Sequence, residues 1–253
     1  MKITYREIGE GQPFIIAHGL FGFSDNWQSH ANKLADYYRV ILIDQRNHGH
    51  SDWSEEHTYD AMADDIYELI QELKLENVIL MGHSMGGKTV MRFAQKHEDL
   101  LDKLIVVDMG VKQYPMHHRE IIDAIQAIDL NVVKTRGDAE EALSKNISSV
   151  GIRQFLLKNL YWKEKGQLAW RMNIEVLERE MPEILKALEF KEVFTPTLFI
   201  RGELSNYILD EDWKEIENNF PDSELVTIPN AGHWVHSEAP KEFIETILSF
   251  CLR

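Results

Sequence analysis

Asn77-Val78-Ile79-Leu80-Met81-Gly82-His83-Ser84-Met85-Gly86-Gly87 sets a serine between two glycines directly after an apolar run. This is a G-x-S-x-G nucleophile elbow, a sharp strand-to-helix turn that holds its serine in a strained backbone conformation where bulky neighbours would clash. Gly82 and Gly86 remove that clash. The next stretch, Lys88 to Lys96, carries Val90, Met91, Phe93 and Ala94 at helical spacing. Ser84 is therefore expected at a helix N-terminus, where backbone N–H groups favour developing negative charge.

Outward from the elbow, short apolar runs alternate with helical stretches, the pattern of a largely parallel sheet flanked by helices. Strands are expected at Ile3 to Ile8, Phe14 to His18, Arg39 to Asp44, Val78 to Gly82, Leu104 to Asp108, Thr197 to Arg201 and Leu225 to Ile228. Most are unbroken apolar runs, as strands covered on both faces should be. Tyr59 to Leu75 reads as an amphipathic helix whose acidic stripe, Asp60, Asp64, Asp65, Glu68 and Glu72, is expected to face solvent rather than a metal. From Val111 to Glu189 the strand pattern stops. Helices are expected there at Arg119 to Ile128, Ala139 to Asn146, Ile152 to Leu160 and Trp170 to Phe190. The chain thus divides into an α/β core, residues 1–112 and 190–253, and a helical cap, residues 113–189.

Length and composition fit one α/β domain with an insertion: 253 residues, of which 44% are hydrophobic. A formal net charge of −15 disfavours nucleic acid and anionic membrane surfaces as partners. No leader pattern and no bilayer-length apolar run is visible, so a cytoplasmic protein, monomer or homodimer, is expected. Cys251 is the single cysteine, which excludes an internal disulfide and a cysteine-rich metal site; it reads as a core thiol.

A serine hydroxyl needs a base, and eleven histidines compete. His233 lies in Pro229-Asn230-Ala231-Gly232-His233-Trp234, a glycine-bearing loop after the last strand. Loops at the C-terminal ends of parallel strands share one edge, so His233 and Ser84 can converge there. His236 is the main competitor; it lacks the preceding glycine. For His18, His48, His50 and His83 the bland reading is loop positioning by hydrogen bonds. The carboxylate that orients the base is commonly found a few residues after Gly202, yet that stretch reads Glu203-Leu204-Ser205-Asn206-Tyr207, with serine where an aspartate is expected. Asp108, ending the strand after the nucleophile helix, is assigned the role, with Glu203 and then Asp210 as alternatives. Oxyanion donors are expected from the N–H of Met85 and from the His18-Gly19-Leu20-Phe21-Gly22 loop, where Leu20 is chosen and Phe21 stays open. Phe21 and Trp234 are expected in the substrate pocket.

With these residues assembled, the chain resembles α/β-hydrolase-fold enzymes along nearly its whole length. It is most similar to the small bacterial YbfF-type esterases. The resemblance rests on His18 to Gly22 with Asn26-Trp27, on Asp44-Gln45-Arg46-Asn47-His48-Gly49-His50-Ser51, on Gly82 to Gly87, on Gly232-His233-Trp234-Val235-His236, and on Trp170-Arg171-Met172-Asn173 in the cap. It implies hydrolysis of carboxylic esters, or of acyl thioesters, with no cofactor and no metal, and it independently places the acid at Asp108. For Arg171 a salt bridge holding cap to core is favoured over a contact with an anionic substrate. Two other classes use this scaffold: lyases, carbon–carbon bond hydrolases and cofactor-free perhydrolases on one hand, and non-catalytic binding proteins on the other. Steady turnover of simple aryl esters separates the esterase from both.

Overall fold

Unbroken apolar runs become strands because each is covered on both faces. The computed structural model describes residues 1–116 and 118–253. Its strands are β1 (Tyr5–Ile8), β2 (Pro13–Ala17), β3 (Arg39–Ile43), β4 (Val78–His83), β5 (Leu101–Val107), β6 (Leu160–Glu164), β7 (Gln167–Trp170), β8 (Thr197–Gly202) and β9 (Ser223–Ile228). All but β6 and β7 join one sheet in the order β1-β3-β2-β4-β5-β8-β9. Only the edge strand β1 runs antiparallel to its neighbour; the other pairs are parallel. Each of the seven strand expectations falls on one of these strands.

Side chains alternate between the two faces, as the two-residue strand period demands. Val78 and Leu80 of β4, with Leu104 and Val106 of β5, point into one core; Ile79, Met81, Ile105 and Val107 point into the other. The helices are α1 (Gln28–Leu34), α2 (Tyr59–Leu73), α3 (Met85–His97), α4 (Arg119–Gln126), α5 (Arg136–Ser144), α6 (Val150–Leu157), α7 (Ile174–Arg179), α8 (Met181–Leu185), α9 (Trp213–Asn219), α10 (Val235–Glu238) and α11 (Pro240–Cys251). α2 and α3 cover the first face, α1 and α11 the second. Cys251 is buried at the end of α11 with its thiol free. No described helix is long and apolar enough to cross a membrane.

The structure corrects two readings of the sequence. Asp65 is not part of a solvated stripe. It is 2% exposed and takes a bidentate ion pair from Arg46, 2.7 and 2.8 Å, which ties α2 to the loop after β3. Spacing alone cannot separate a carboxylate facing water from one facing a buried guanidinium. The segment between β5 and β8 is not purely helical either. α6 ends at Leu157, and Leu160 to Trp170 form the β6–β7 hairpin, turning at Gly166 with φ +81°. The helix expected over Trp170 to Phe190 is instead the end of β7 followed by α7 and α8. Asn173 caps α7 through its side chain, and Pro182, which cannot donate an N–H within a helix, starts α8.

The segment between β5 and β8 is held at two distant points by one side chain. Lys88 of α3 is fully buried, and its Nζ donates to the carbonyls of Lys112 (2.9 Å), Leu185 (3.5 Å) and Lys186 while lying 4.9 Å from the centre of the Tyr114 ring. Burial and the charge of Lys186 push its pKa down to about 7. Replacement by methionine keeps the buried stem but leaves the carbonyls of Lys112 and Lys186 without this donor, while that of Leu185 keeps the N–H of Tyr114. Lys88→Met is therefore expected to lower stability by about 2–4 kcal/mol, read as the shift of the urea midpoint; an unchanged midpoint would show that the ammonium does not hold the cap.

Candidate active site

The elbow is built by backbone crowding. A Cβ on Gly82 would sit 2.1 Å from the carbonyl oxygen of Gly86, and one on Gly86 would sit 2.4 Å from that of Ala17. No side chain fits either place, so helix α3 can start hard against β4 and β2 only with glycine there. Ser84 takes the strain of the turn, with φ 54° and ψ −120°. Met85 follows as the first helical residue, and its N–H has no intrahelical partner by the geometry of a helix start.

The strand-end loops bring three expected residues together. His233 Nε2 lies 3.0 Å from Ser84 Oγ, and His233 Nδ1 lies 2.7 Å from Asp108 Oδ2. Asp108 is fully buried; Gly202 N–H reaches its Oδ1 at 3.4 Å and the Ser205 hydroxyl donates to its Oδ2. Ser205 thus occupies the place where an acid is often found and donates to Asp108 from there. Tyr207, two residues on, stacks on the His233 ring with centroids 3.7 Å apart. Neither contact was foreseen, although the serine at an expected aspartate position was a visible signal. The alternative acids lie elsewhere: Glu203 accepts from Asn230 N–H at 2.9 Å, and Asp210 pairs with Arg201 at the surface.

Burial pushes the Asp108 carboxyl up to about 6, opposed first by the Ser205 hydroxyl. Because the folded carboxyl holds its proton more tightly than the unfolded one, its favourable contribution to stability is full below about pH 4 and is lost as pH rises through about 6. An ionised Asp108 at neutral pH is a cost that the rest of the fold carries.

The remaining histidines of this edge hold loops. His83 donates from Nε2 to the carbonyl of His233 at 2.9 Å, and burial lowers its pKa to about 3. His236, the competitor, is buried against Trp27, ring centroids 4.3 Å apart, and burial holds its pKa well below the usual value. His18 fixes the first loop through Gly19 O (2.8 Å) and Gln45 N (3.0 Å). His48 donates from Nδ1 to Arg46 O at 3.0 Å, so its Nε2 accepts, and it accepts the N–H of Phe21 at 3.2 Å. That bond commits the Phe21 amide. The Leu20 amide has no such partner among the described residues.

A cleft of about 500 Å³ opens over Ser84, with Phe21, Trp27, Ile152, Phe155, His233 and Trp234 among its lining. Phe155 and Trp234, both in its lining, pack with ring centroids 5.7 Å apart. The segment between β5 and β8 is joined to the core by hydrogen bonds: Asn159 Nδ2 donates to Phe21 O (2.8 Å), Asn173 N–H to Asn47 O (2.9 Å), and Arg171 to His50 Nε2 (2.6 Å). Arg171 therefore joins this segment to the core through a hydrogen bond to an imidazole nitrogen rather than through the salt bridge expected, and the other ring nitrogen of His50 lies 3.3 Å from Asp44. Asn159 left no signal in the sequence. Among the described residues, no group of three or more His, Cys, Asp or Glu is placed to hold a metal ion.

Residues 12–138 match the family model for the alpha/beta hydrolase fold. The chain belongs to the α/β-hydrolase family. This hydrolase is 38% identical over 245 residues to the sn-1-specific diacylglycerol lipase ABHD11 of Mus musculus, covering 93% of this chain and 80% of the relative. It is 34% identical over 236 residues to the esterase YbfF of Escherichia coli, covering 93% and 91%. A solved structure of a marine microorganism esterase superimposes with a TM-score of 0.96 at 45% identity, covering 98% of this chain and 99% of that one. Among such relatives the hydrolase is an enzyme of the carboxylesterase type.

The geometry around Asp108 generates a titration. The rate at which an organophosphate probe modifies Ser84 is expected to fall as pH drops through about 6, where the Asp108 carboxylate takes up a proton. Ser205→Ala removes a donor that favours the ionised form, so the midpoint should move up by about one pH unit. A midpoint that stays in place would show that Ser205 does not hold Asp108 ionised.

Proposed function

We propose that this hydrolase cleaves carboxylic esters through an acyl-enzyme on Ser84. One observation carries the reading: the unbroken line of contacts from Ser84 Oγ to His233 Nε2 at 3.0 Å and from His233 Nδ1 to Asp108 Oδ2 at 2.7 Å. In this reading His233 takes the serine proton as Oγ attacks the ester carbonyl, and Asp108 holds the ring in the tautomer that presents Nε2 as a base. The amides of Leu20 and Met85 receive the oxyanion. The engagement of Phe21 N–H with His48 supports Leu20 as the loop donor. His233 then returns the proton to the departing oxygen, and water, deprotonated by the same imidazole, releases the acid.

The pocket residues Phe21 and Trp234 border the cleft, which supports their contact with substrate. Small-molecule esters are the expected partners; a thioester follows the same chemistry, although a net charge of −15 disfavours polyanionic carriers. Residence in the cytoplasm belongs to the same reading.

Hydrolysis of p-nitrophenyl acetate by the wild type, Ser84→Ala and Asp108→Asn tests the assignment. Ser84→Ala is expected to lose about 10⁶-fold in kcat and Asp108→Asn about 10³–10⁴-fold. If Asp108→Asn keeps wild-type turnover while Ser84→Ala is dead, the acid is elsewhere. Turnover that survives Ser84→Ala would remove the acyl-enzyme.

A further inference from the structure

Ser84 stands between two spaces of very different size. On one side is the cleft of about 500 Å³, which His233 borders. On the other is a recess of about 10 Å³ whose lining includes Tyr59, Met85, Met109, Tyr114, Ile184 and Leu185 but not His233. That volume holds one group of about the size of a water or a methyl. Leu20 and Ser84 border both spaces.

Resting on the serine-ester reading above, we propose that the recess receives the acyl chain and the cleft the alcohol. The enzyme then takes short acyl esters, acetyl foremost, of bulky apolar or aromatic alcohols. The direction follows from the proton. When the tetrahedral intermediate collapses, the bond from the carbonyl carbon to the alcohol oxygen breaks, its electron pair goes to that oxygen, and the oxygen takes the proton carried by His233 Nε2. The alcohol oxygen therefore lies on the His233 side, and its substituent extends into the cleft, along Phe155 and Trp234. The carbonyl oxygen is directed to the amides of Leu20 and Met85. The remaining substituent on the carbon is the acyl chain, and the space left for it is the recess.

The recess has little freedom to widen. Each of its six named walls is less than a tenth exposed. The Tyr59 hydroxyl donates to Ile184 O at 2.6 Å, the Tyr114 hydroxyl to Tyr207 O at 2.8 Å, and Tyr114 N–H to Leu185 O at 2.8 Å. Lys88 fixes the same stretch from behind through Leu185 O and the Tyr114 ring. A longer acyl chain must displace groups that are hydrogen-bonded in place, whereas a longer alcohol meets a cleft already open.

Two matched series test the partition: p-nitrophenyl acetate, butyrate and octanoate, and the acetates of ethanol, hexanol and 2-(2-naphthyl)ethanol, primary alcohols of similar acidity. Along the first, kcat/KM is expected to fall by about tenfold for each methylene the recess cannot house; along the second it is expected to rise. Ile184→Ala, or Met109→Ala from another wall should the first not fold, enlarges the recess and should move the acyl optimum to butyrate or beyond while acetate is still cleaved. A wild-type optimum at octanoate overturns the partition and leaves the ester reading standing, as does an optimum unmoved in a widened variant that cleaves acetate. A folded chain that cleaves no ester of either series, and whose Ser84 resists the organophosphate probe, overturns the ester reading and the partition with it.

Discussion

Two glycines packed against backbone carbonyls are the constraint on which the rest of this molecule depends. With Gly82 pressed on Gly86 and Gly86 pressed on Ala17, β4 has no room to continue and α3 must begin within one residue. That residue is Ser84, held at positive φ by a fully buried strand on one side and a largely buried helix on the other. Strain of this kind costs on the order of 1–3 kcal/mol and persists only where its surroundings over-determine it. Here the surroundings are the centre of a parallel sheet. Every other loop at this edge is arranged around the one serine that the crowding lifts out of the backbone.

The arrangement also sorts the histidines. Burial lowers the basicity of His18, His48, His57, His83 and His236, so at neutral pH each is an uncharged ring. His18 and His48 each donate from one ring nitrogen and accept at the other, the capacity of a neutral imidazole. They work as rigid spacers between backbone segments. His233 differs in having a buried carboxylate on one nitrogen and the serine on the other, with Tyr207 fixing the plane of its ring.

The sheet was legible because parallel strands buried on both faces leave runs such as Val78 to Met81 that no exposed element can carry. Ser84, His233 and Asp108 could be placed on one edge because that edge is a property of the strand order. The cap was harder. Tyr161 and Trp162 suit helix packing as well as strand pairing, and only the Gly166 turn marked a hairpin. Pro182 divided what spacing alone joined. Contacts that depend on three dimensions left the weakest trace: Asp65 resembles its surface neighbours until Arg46 is seen beside it, and Asn159 looks like any loop residue until Phe21 O is found in its reach.

Lys88 ties the first and last turns of the chain between β5 and β8 to a single point. A segment whose two ends are already fixed side by side behaves as a closed loop, and the entropy of closing a loop grows only with the logarithm of its length. The cost of closing the segment therefore depends little on how many residues lie between the anchors. Apart from the contacts of Asn159, Arg171 and Asn173 with the core, helices and hairpin there can lengthen or shorten at little cost in loop closure, so a segment that borders the cleft is also one the fold can readily exchange.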